Sequence, residues 1–195
     1  EAVPAGEGTM AAIMGIERES VIECLKMASG YGVVEAANFN CPGQVVIAGH
    51  TRAVEKACSM LKERGAKKAI MLPVSAPFHS SLLKPAGEKL AAELETVNIS
   101  DNELPVVSNV NARIIMNKYE IKRCLIEQVS SSVLWEDSIR RMIDMGVDTF
   151  IEVGPGRTLS AFVKKIDKNL YVHNVENIDT LENTIVSIRE RLECN

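Results

Sequence analysis

The chain has 195 residues, of which 46% are hydrophobic and 25% are charged, and this ordinary globular composition excludes wholesale disorder. Its formal net charge of -4 argues against a dedicated nucleic-acid binder, which would carry a basic balance. The longest apolar runs are far shorter than the roughly 20 residues that span a bilayer, so no membrane partner is expected.

The cysteines and histidines are scattered along the chain. Five cysteines, an odd number, include no C-x-x-C pair, which is typical of reduced thiols in a cytoplasmic protein. Three histidines lie far apart with no ligand spacing, so we expect neither a metal site nor a cofactor.

The first third of the chain predicts the element order β-α-β-β-α-β over residues 9–74. Thr51 is expected to cap the second helix, and Gly65 stands where a glycine commonly follows a helix end. This order is the split βαβ, or ferredoxin-like, pattern, in which two helices cover one face of a four-stranded antiparallel sheet. The predicted strands are 9–14, 33–38, 44–48 and 68–74, and the first helix is 17–29.

The remainder of the chain alternates strands with helices after a loop at residues 75–81. Such alternation suggests a parallel sheet with helices on its faces. Only about three strands are predicted, fewer than the roughly five or six of a usual sheet. The predicted strands are 105–109, which we expect to be buried, 149–153 and 170–175, and the predicted helices are 82–97, 119–129, 138–145, 158–166 and 180–192.

His79 is the first candidate for chemistry, because it follows a strand end in a loop of small hydroxyl residues, where a histidine can act as a general base. Judged by its position alone, His79 is better interpreted as a loop histidine with no catalytic role than as a general base. A serine nucleophile on an α/β fold normally lies in a G-x-S-x-G elbow, and the 195 residues contain none. Ser80 and Ser81 are therefore expected to cap the following helix.

Two further candidates have a structural interpretation that we prefer. Cys41 could be a nucleophile on a turn, but nothing near it in sequence would lower the pKa of its thiol. Gly154, Gly156 and Arg157 connect a strand to a helix N-terminus and could bind an anion, but we prefer to interpret them as a tight strand-to-helix connection.

Several segments together resemble the malonyl-CoA:acyl-carrier-protein transacylases of bacterial fatty-acid synthesis. They occur in the same order and at the same spacing as in that family, over essentially the whole chain. The segments are 1–6 (EAVPAG), 10–15 (MAAIMG), 38–49 (NFNCPGQVVIAG), 74–80 (VSAPFHS) and 152–156 (EVGPG).

The resemblance implies a reaction in which a serine takes malonyl from malonyl-CoA and passes it to the thiol of acyl carrier protein. His79 matches the family's catalytic histidine, and Gln128 matches the glutamine whose backbone carbonyl holds the other ring nitrogen. Phe78 matches a bulky residue that limits the acyl group. The positions implied near the substrate cleft are Asn38, Asn40 and Asn109.

The family's G-H-S-L-G elbow, its malonate-binding arginine and its oxyanion glutamine loop have no counterpart in these 195 residues. With an initial Glu1 in place of Met, this predicts an N-terminally truncated chain. We expect a ferredoxin-like small subdomain at 8–74 and the C-terminal part of an α/β-hydrolase-like acyltransferase subdomain at 1–7 and 75–195. Alone, the chain is expected to be inactive and to associate with itself or with the missing N-terminal segment of the enzyme.

Three alternatives remain open from the sequence. The chain could come from a polyketide- or decarboxylase-type acyltransferase with another acyl group. It could be a ferredoxin-like module that docks an acidic carrier domain. It could also be a self-contained hydrolase that uses Ser80 or Cys41.

Overall fold

The computed structural model describes residues 3–4, 6–74 and 76–193, and these divide into two compact units with the boundary between Ser138 and Ile139. The protein is of mixed α/β class. Residues 1, 2 and 5, Ser75 of the predicted loop, and residues 194 and 195, which include one of the five cysteines, lie outside the described residues.

The first unit begins with the elements β1 (Gly8–Met14), α1 (Arg18–Ala28), β2 (Val34–Cys41), β3 (Gln44–His50), α2 (Thr51–Glu63) and β4 (Lys68–Met71). These four strands form an antiparallel sheet in the order β2-β3-β1-β4. The predicted order β-α-β-β-α-β is the order observed. A turn at Pro42 and Gly43 joins β2 to β3, and Gly43 takes a φ of 72°, which favours glycine.

The core of this unit lies between the sheet and helices α1 and α2. Ile13 and Ile47 of the sheet are fully buried against Val21 of α1 and Leu61 of α2. A smaller cluster buries the opposite face of the sheet and includes Met10 and four further residues. Both faces are therefore covered, so the strands carry apolar residues at consecutive positions and not only at alternate ones.

Residues 131–134 close one edge of the sheet. Val133 forms an isolated parallel bridge with Asn38 of β2. The backbone N–H of Phe39 donates to Val133 O at 2.9 Å, and the N–H of Val133 donates to Ala37 O at 2.8 Å. Edge strand β2 thus finds partners for backbone groups that would otherwise stay unpaired.

Some predicted boundaries are wrong. β4 ends at Met71 and not at Val74, and β2 continues to Cys41. Helix α2 begins at Thr51 itself, and the Thr51 hydroxyl donates to Gly6 O instead of capping the helix.

The rest of the first unit corrects the prediction of a single parallel sheet. The strand predicted at 105–109 pairs antiparallel with a strand that the sequence analysis missed, and Val106 is 46% exposed, so it is not the buried strand expected. The elements are a 3-10 turn at Ser81–Leu83, α3 (Lys84–Glu95), β5 (Val106–Ser108), β6 (Arg113–Ile115) and α4 (Lys118–Ser130).

The second unit contains the pair of parallel strands that the alternation predicted, with Ile151 beside His173 in the register. Within the described part of the chain, no helix has the length and apolar character needed to cross a membrane. Helix α5 (Trp135–Asp144) leads into this unit, which continues with β7 (Thr149–Val153), α6 (Thr158–Ile166), β8 (Tyr171–Val175) and α7 (Ile178–Glu193).

Candidate functional site

His79 lies in the loop between β4 and α3, half-buried, with its ring against the end of helix α4. Its Nδ1 is 2.9 Å from the backbone oxygen of Gln128. The backbone of His79 has a φ of 58°, a left-handed conformation that few non-glycine residues adopt. Such a conformation persists only where the surrounding structure holds it, and it is common at functional sites.

The carbonyl of Gln128 is free to accept this bond because it belongs to the last turn of α4. The last four carbonyls of a helix have no partner within the helix. Since a carbonyl oxygen only accepts, the bond places the hydrogen on Nδ1 of His79. Nε2 is then the acceptor nitrogen of the neutral ring, as a general base requires.

The side chain of Gln128 makes contacts that the sequence analysis missed. Its Nε2 amide donates to Ser131 O at 2.9 Å and to Ser132 O at 3.2 Å, which closes the end of α4. The sequence contained a signal for these contacts: Gln128 stands in the last helical turn, shortly before three serines. A side-chain amide at that position can donate to backbone carbonyls that have no partner at a helix end.

The loop of His79 is fixed on both sides of the histidine. The Ser80 hydroxyl donates to Pro77 O at 2.6 Å, and the N–H of Ser81 donates to Oε2 of Glu35 at 2.6 Å. The prediction that Ser80 caps the next helix is wrong, because its hydroxyl donates to the loop instead. A Cβ on Gly8 would lie 2.4 Å from Pro77, so only glycine allows the loop to approach β1 so closely.

The other predicted site residues fall into two groups. Asn38 and Asn109 both hold residues 131–134, the first through the bridge to Val133 and the second through its carbonyl, which accepts the N–H of Leu134 at 2.7 Å. Phe78 precedes His79 and is 47% exposed. Asn40 lies two residues beyond Asn38 in β2 and is half-buried.

The alternative nucleophiles are not accessible to a substrate. Cys41 is 2% exposed, and Ser80 is fully buried with its hydroxyl already donating to Pro77 O. These positions disfavour a hydrolase that would use either residue.

The strand-to-helix connection in the second unit holds its own carboxylate. Glu152 accepts the backbone N–H of Leu159 at 3.1 Å and that of Ser160 at 2.7 Å, which are donors at the N-terminus of α6. Burial alone would raise the pKa of Glu152, but hydrogen bonds from Ser160 and Leu159 outweigh it and lower the pKa. Because an internal anion occupies this helix end, a tight connection explains Gly154 and Gly156 without a ligand.

No cluster of three or more histidine, cysteine or acidic residues that could hold a metal ion occurs within residues 3–4, 6–74 and 76–193.

Comparison with known proteins identifies what the chain resembles. The family model described as acyl transferase domain matches residues 2–185. The malonyl CoA-acyl carrier protein transacylase of Bacillus subtilis is 48% identical over 191 residues, which are 97% of this chain and 60% of that protein. The resemblance drawn from the sequence motifs is thereby confirmed.

Solved structures agree with the sequence comparison. The crystal structure of malonyl CoA-acyl carrier protein transacylase from Clostridium perfringens has a TM-score of 0.95 and 48% identity, covering 100% of this chain and 62% of that one. A type II PKS acyl-carrier protein in complex with its malonyl-transacylase contains a chain with a TM-score of 0.90 and 39% identity, covering 92% and 58%. The chain thus spans about 60% of the length of the relatives it matches.

Proposed function

The chain belongs to the acyl transferase domain family, and from that premise we propose that it supplies the proton-transfer residue of a malonyltransferase. In the proposed reaction, malonyl moves from malonyl-CoA to the thiol of acyl carrier protein through a seryl acyl-enzyme. His79 is proposed as the base and Gln128 as its partner. The observation that carries the proposal is the 2.9 Å contact between Nδ1 of His79 and Gln128 O, in a chain whose relatives are named for this transfer.

The chemistry divides into two matching steps. Nε2 of His79 takes the proton of a serine hydroxyl as the serine oxygen bonds to the malonyl carbonyl carbon, and the coenzyme A thiolate leaves with that proton. The carrier thiol then gives its proton to Nε2 while its sulfur bonds to the carbonyl carbon of the acyl-enzyme. The ester bond to the serine breaks, and the serine oxygen takes the proton back from Nε2, which restores the hydroxyl and the neutral imidazole. The printed 195 residues contain no G-x-S-x-G, so the proposal places the nucleophilic serine outside them.

Phe78 and three asparagines are proposed to contact the acyl group and its thioester. The exposed ring of Phe78 stands directly before the base, where it would limit substituents on the α-carbon of the acyl group. Asn38, Asn40 and Asn109 are all half-buried and carry amide donors, and the backbones of Asn38 and Asn109 contact the segment that follows α4.

We further propose the finer domain description. Residues 8–74 would form a ferredoxin-like small subdomain, supported by their element order and by the strand order β2-β3-β1-β4. Residues 1–7 and 75–195 would belong to an α/β-hydrolase-like acyltransferase subdomain, supported by the parallel β7-α6-β8 unit.

The proposed partners are malonyl-CoA, acyl carrier protein and a further segment of the same enzyme. Exposed apolar strand residues support the last of these, since Ile151 is 46% and Val153 80% exposed. A cytoplasmic location is the matching proposal for a fatty-acid synthesis enzyme.

The decisive experiment measures malonyl transfer by the complete gene product, with and without His79→Ala, using radiolabelled malonyl-CoA and purified carrier protein. Removing a general base typically costs 10²- to 10⁴-fold, so we expect kcat to fall by about a thousandfold. The matched control is Ser29→Ala, which removes an exposed hydroxyl-to-carbonyl bond and should keep full activity. Unchanged kcat in His79→Ala would refute the assignment.

A type II polyketide carrier is the second candidate acceptor, because a structural relative is a malonyl-transacylase in complex with such a carrier. Transfer rates to fatty-acid and polyketide carrier proteins, measured side by side, separate the two. Phe78→Ala should increase the transfer of α-substituted acyl groups relative to malonyl in either case.

A further inference from the structure

Strand β2 holds both partners of the His79–Gln128 contact through two neighbouring residues. The carboxylate of Glu35 accepts the N–H of Ser81 at 2.6 Å. The backbone oxygen of the next residue, Ala36, accepts the hydroxyl of Ser132 at 2.6 Å. These bonds join positions 46 and 96 residues apart in sequence.

Each of these bonds reaches one partner of the contact. Ser81 follows His79 by two residues in the same loop, so Glu35 fixes the loop that carries the imidazole. Ser132 accepts the amide of Gln128 through its backbone oxygen, so the Ser132 hydroxyl fixes the end of the helix that carries the accepting carbonyl.

We propose that Glu35 and Ser132 are positioning residues for the imidazole of His79. Together they hold its Nδ1 within hydrogen-bond distance of Gln128 O, and thereby keep the hydrogen on Nδ1. A hydrogen bond weakens steeply outside its narrow range of distance and angle, so a small shift of either anchor breaks it. The left-handed backbone of His79 adds to this sensitivity, because it needs support from its surroundings.

Glu35 and Ser132 form different kinds of hydrogen bond, so different substitutions should preserve each of them. The bond from Ser81 to a carboxylate is charge-assisted and short, so an acceptor at the end of a side chain of this length is required. The bond from Ser132 needs only a hydroxyl, since β2 supplies a backbone oxygen. The bridge of Val133 to Asn38 remains when the Ser132 hydroxyl is removed, so this change should leave the folding of the chain intact.

The tautomer of His79 tests this inference without any assay of activity. Nitrogen-15 NMR of the imidazole in the 195-residue chain, assigned with His79→Gln, should report hydrogen on Nδ1. Glu35→Ala and Ser132→Ala should each move the ring toward the Nε2–H form. Glu35→Gln and Ser132→Thr keep an acceptor and a hydroxyl, so both should restore the native signal.

The controls separate positioning from loss of folding. Ser29→Ala removes a hydroxyl-to-carbonyl bond of 2.7 Å, the same kind as that of Ser132, and should leave the His79 signal unchanged. If Glu35→Ala fails to fold, Glu35→Asp replaces it, because the shorter side chain keeps the charge but falls short of Ser81. A native Nδ1–H signal in folded Glu35→Asp and Ser132→Ala would overturn the inference.

The link to catalysis rests on the proposed function and is measured separately. In the complete gene product, Glu35→Ala and Ser132→Ala should lower kcat about tenfold with KM nearly unchanged, since misplacing a catalytic group costs rate more than binding. A shifted tautomer with unchanged kcat would refute the role of His79 while supporting the positioning. A reduced kcat with a native tautomer would overturn the positioning itself.

Discussion

The four-stranded sheet of the first unit and the strand pair of the second differ in how completely their apolar side chains are covered. Ile47 in β3 is fully buried, whereas Ile151 and Val153 in β7 are 46% and 80% exposed. Apolar runs are typical of strands that are buried on both faces. The strand pair thus has the sequence of a buried sheet but leaves apolar surface uncovered, and its stability must depend on other contacts.

The two units nevertheless use the same polar contact. In the first, Arg18 pairs with both carboxylate oxygens of Asp137, at 3.0 and 2.8 Å, and lies 3.7 Å from the ring centre of Phe39. In the second, Arg191 pairs with Asp148 and lies 3.6 Å from the ring centre of Tyr171. The first contact adds to a fully buried core. The second joins α7 to the strands β7 and β8, whose apolar residues are less completely buried.

The largest expected difference concerns matched isoleucines. Ile47→Ala should lower the free energy of unfolding by about 3 kcal/mol, because it leaves a cavity in a packed core. Ile151→Ala should cost less than about 1 kcal/mol, since a side chain that is 46% exposed gains less from folding. Urea unfolding followed by circular dichroism measures both. Equal costs would mean that the β7–β8 pair is as well packed as the larger sheet.

The second prediction concerns the thiol of Cys58, in helix α2 of the first unit. Burial raises its pKa to about 11, with only partial compensation by Lys62. The thiol therefore stays protonated at pH 8.5, and iodoacetamide should label it about 100-fold more slowly in the folded chain than in urea. Because the pKa is raised in the folded state, stability should also fall as the pH increases from about 9 towards 11.

Mass spectrometry of the alkylated chain measures the labelling of Cys58. The chain in urea provides the internal reference for an accessible thiol of the same residue. Rapid labelling of Cys58 under native conditions would contradict the buried core of the first unit and weaken the comparison between the two units.

The third prediction removes the arginine of the polar contact in the first unit. Arg18→Ala should cost about 1 kcal/mol, because one guanidinium nitrogen contacts both oxygens of Asp137, the guanidinium lies over the ring of Phe39, and the pair is about one-third exposed. Arg18→Lys should restore little of this, since an ammonium group lacks the planar guanidinium that stacks on the ring of Phe39. Thermal unfolding of the three proteins measures the difference, and full recovery by lysine would show that only the charge matters.

Local signals predicted the elements of residues 9–74 well because they agreed with one another. Turn and helix-end glycines, such as Gly43 and Gly65, stand between segments whose apolar period is clear, and both take positive φ values. Strand β6 was missed because a run of three residues carries no readable period. β5 was expected to be buried because it is rich in apolar residues, and this composition does not reveal that the strand pairs in a hairpin with β6.

The site was predictable only in part for the same reason. His79 and Gln128 are 49 residues apart, and their contact was inferred from the resemblance and not from any local pattern. The bonds of Glu35 and Ser132 were missed because long-range contacts depend on how β2 packs against two later segments. Nothing in the immediate sequence of either residue encodes such an approach.

The smallest expected effect tests the polar contact of the second unit by pH. Hydrogen bonds from Arg191, with a smaller contribution from Thr149, hold the pKa of Asp148 below its ordinary value. A lowered pKa in the folded state means that the carboxylate stabilises the fold at neutral pH and loses this effect as the pH falls below about 4. Carbon-13 NMR of the carboxyl group should show the low pKa in the unchanged chain and its return to the ordinary range in Arg191→Ala. Arg18→Ala is the matched control and should leave the titration of Asp148 unchanged. If Asp148 titrates alike in the unchanged chain and in Arg191→Ala, the contact contributes nothing in solution, and the strand pair must be held by its helices alone.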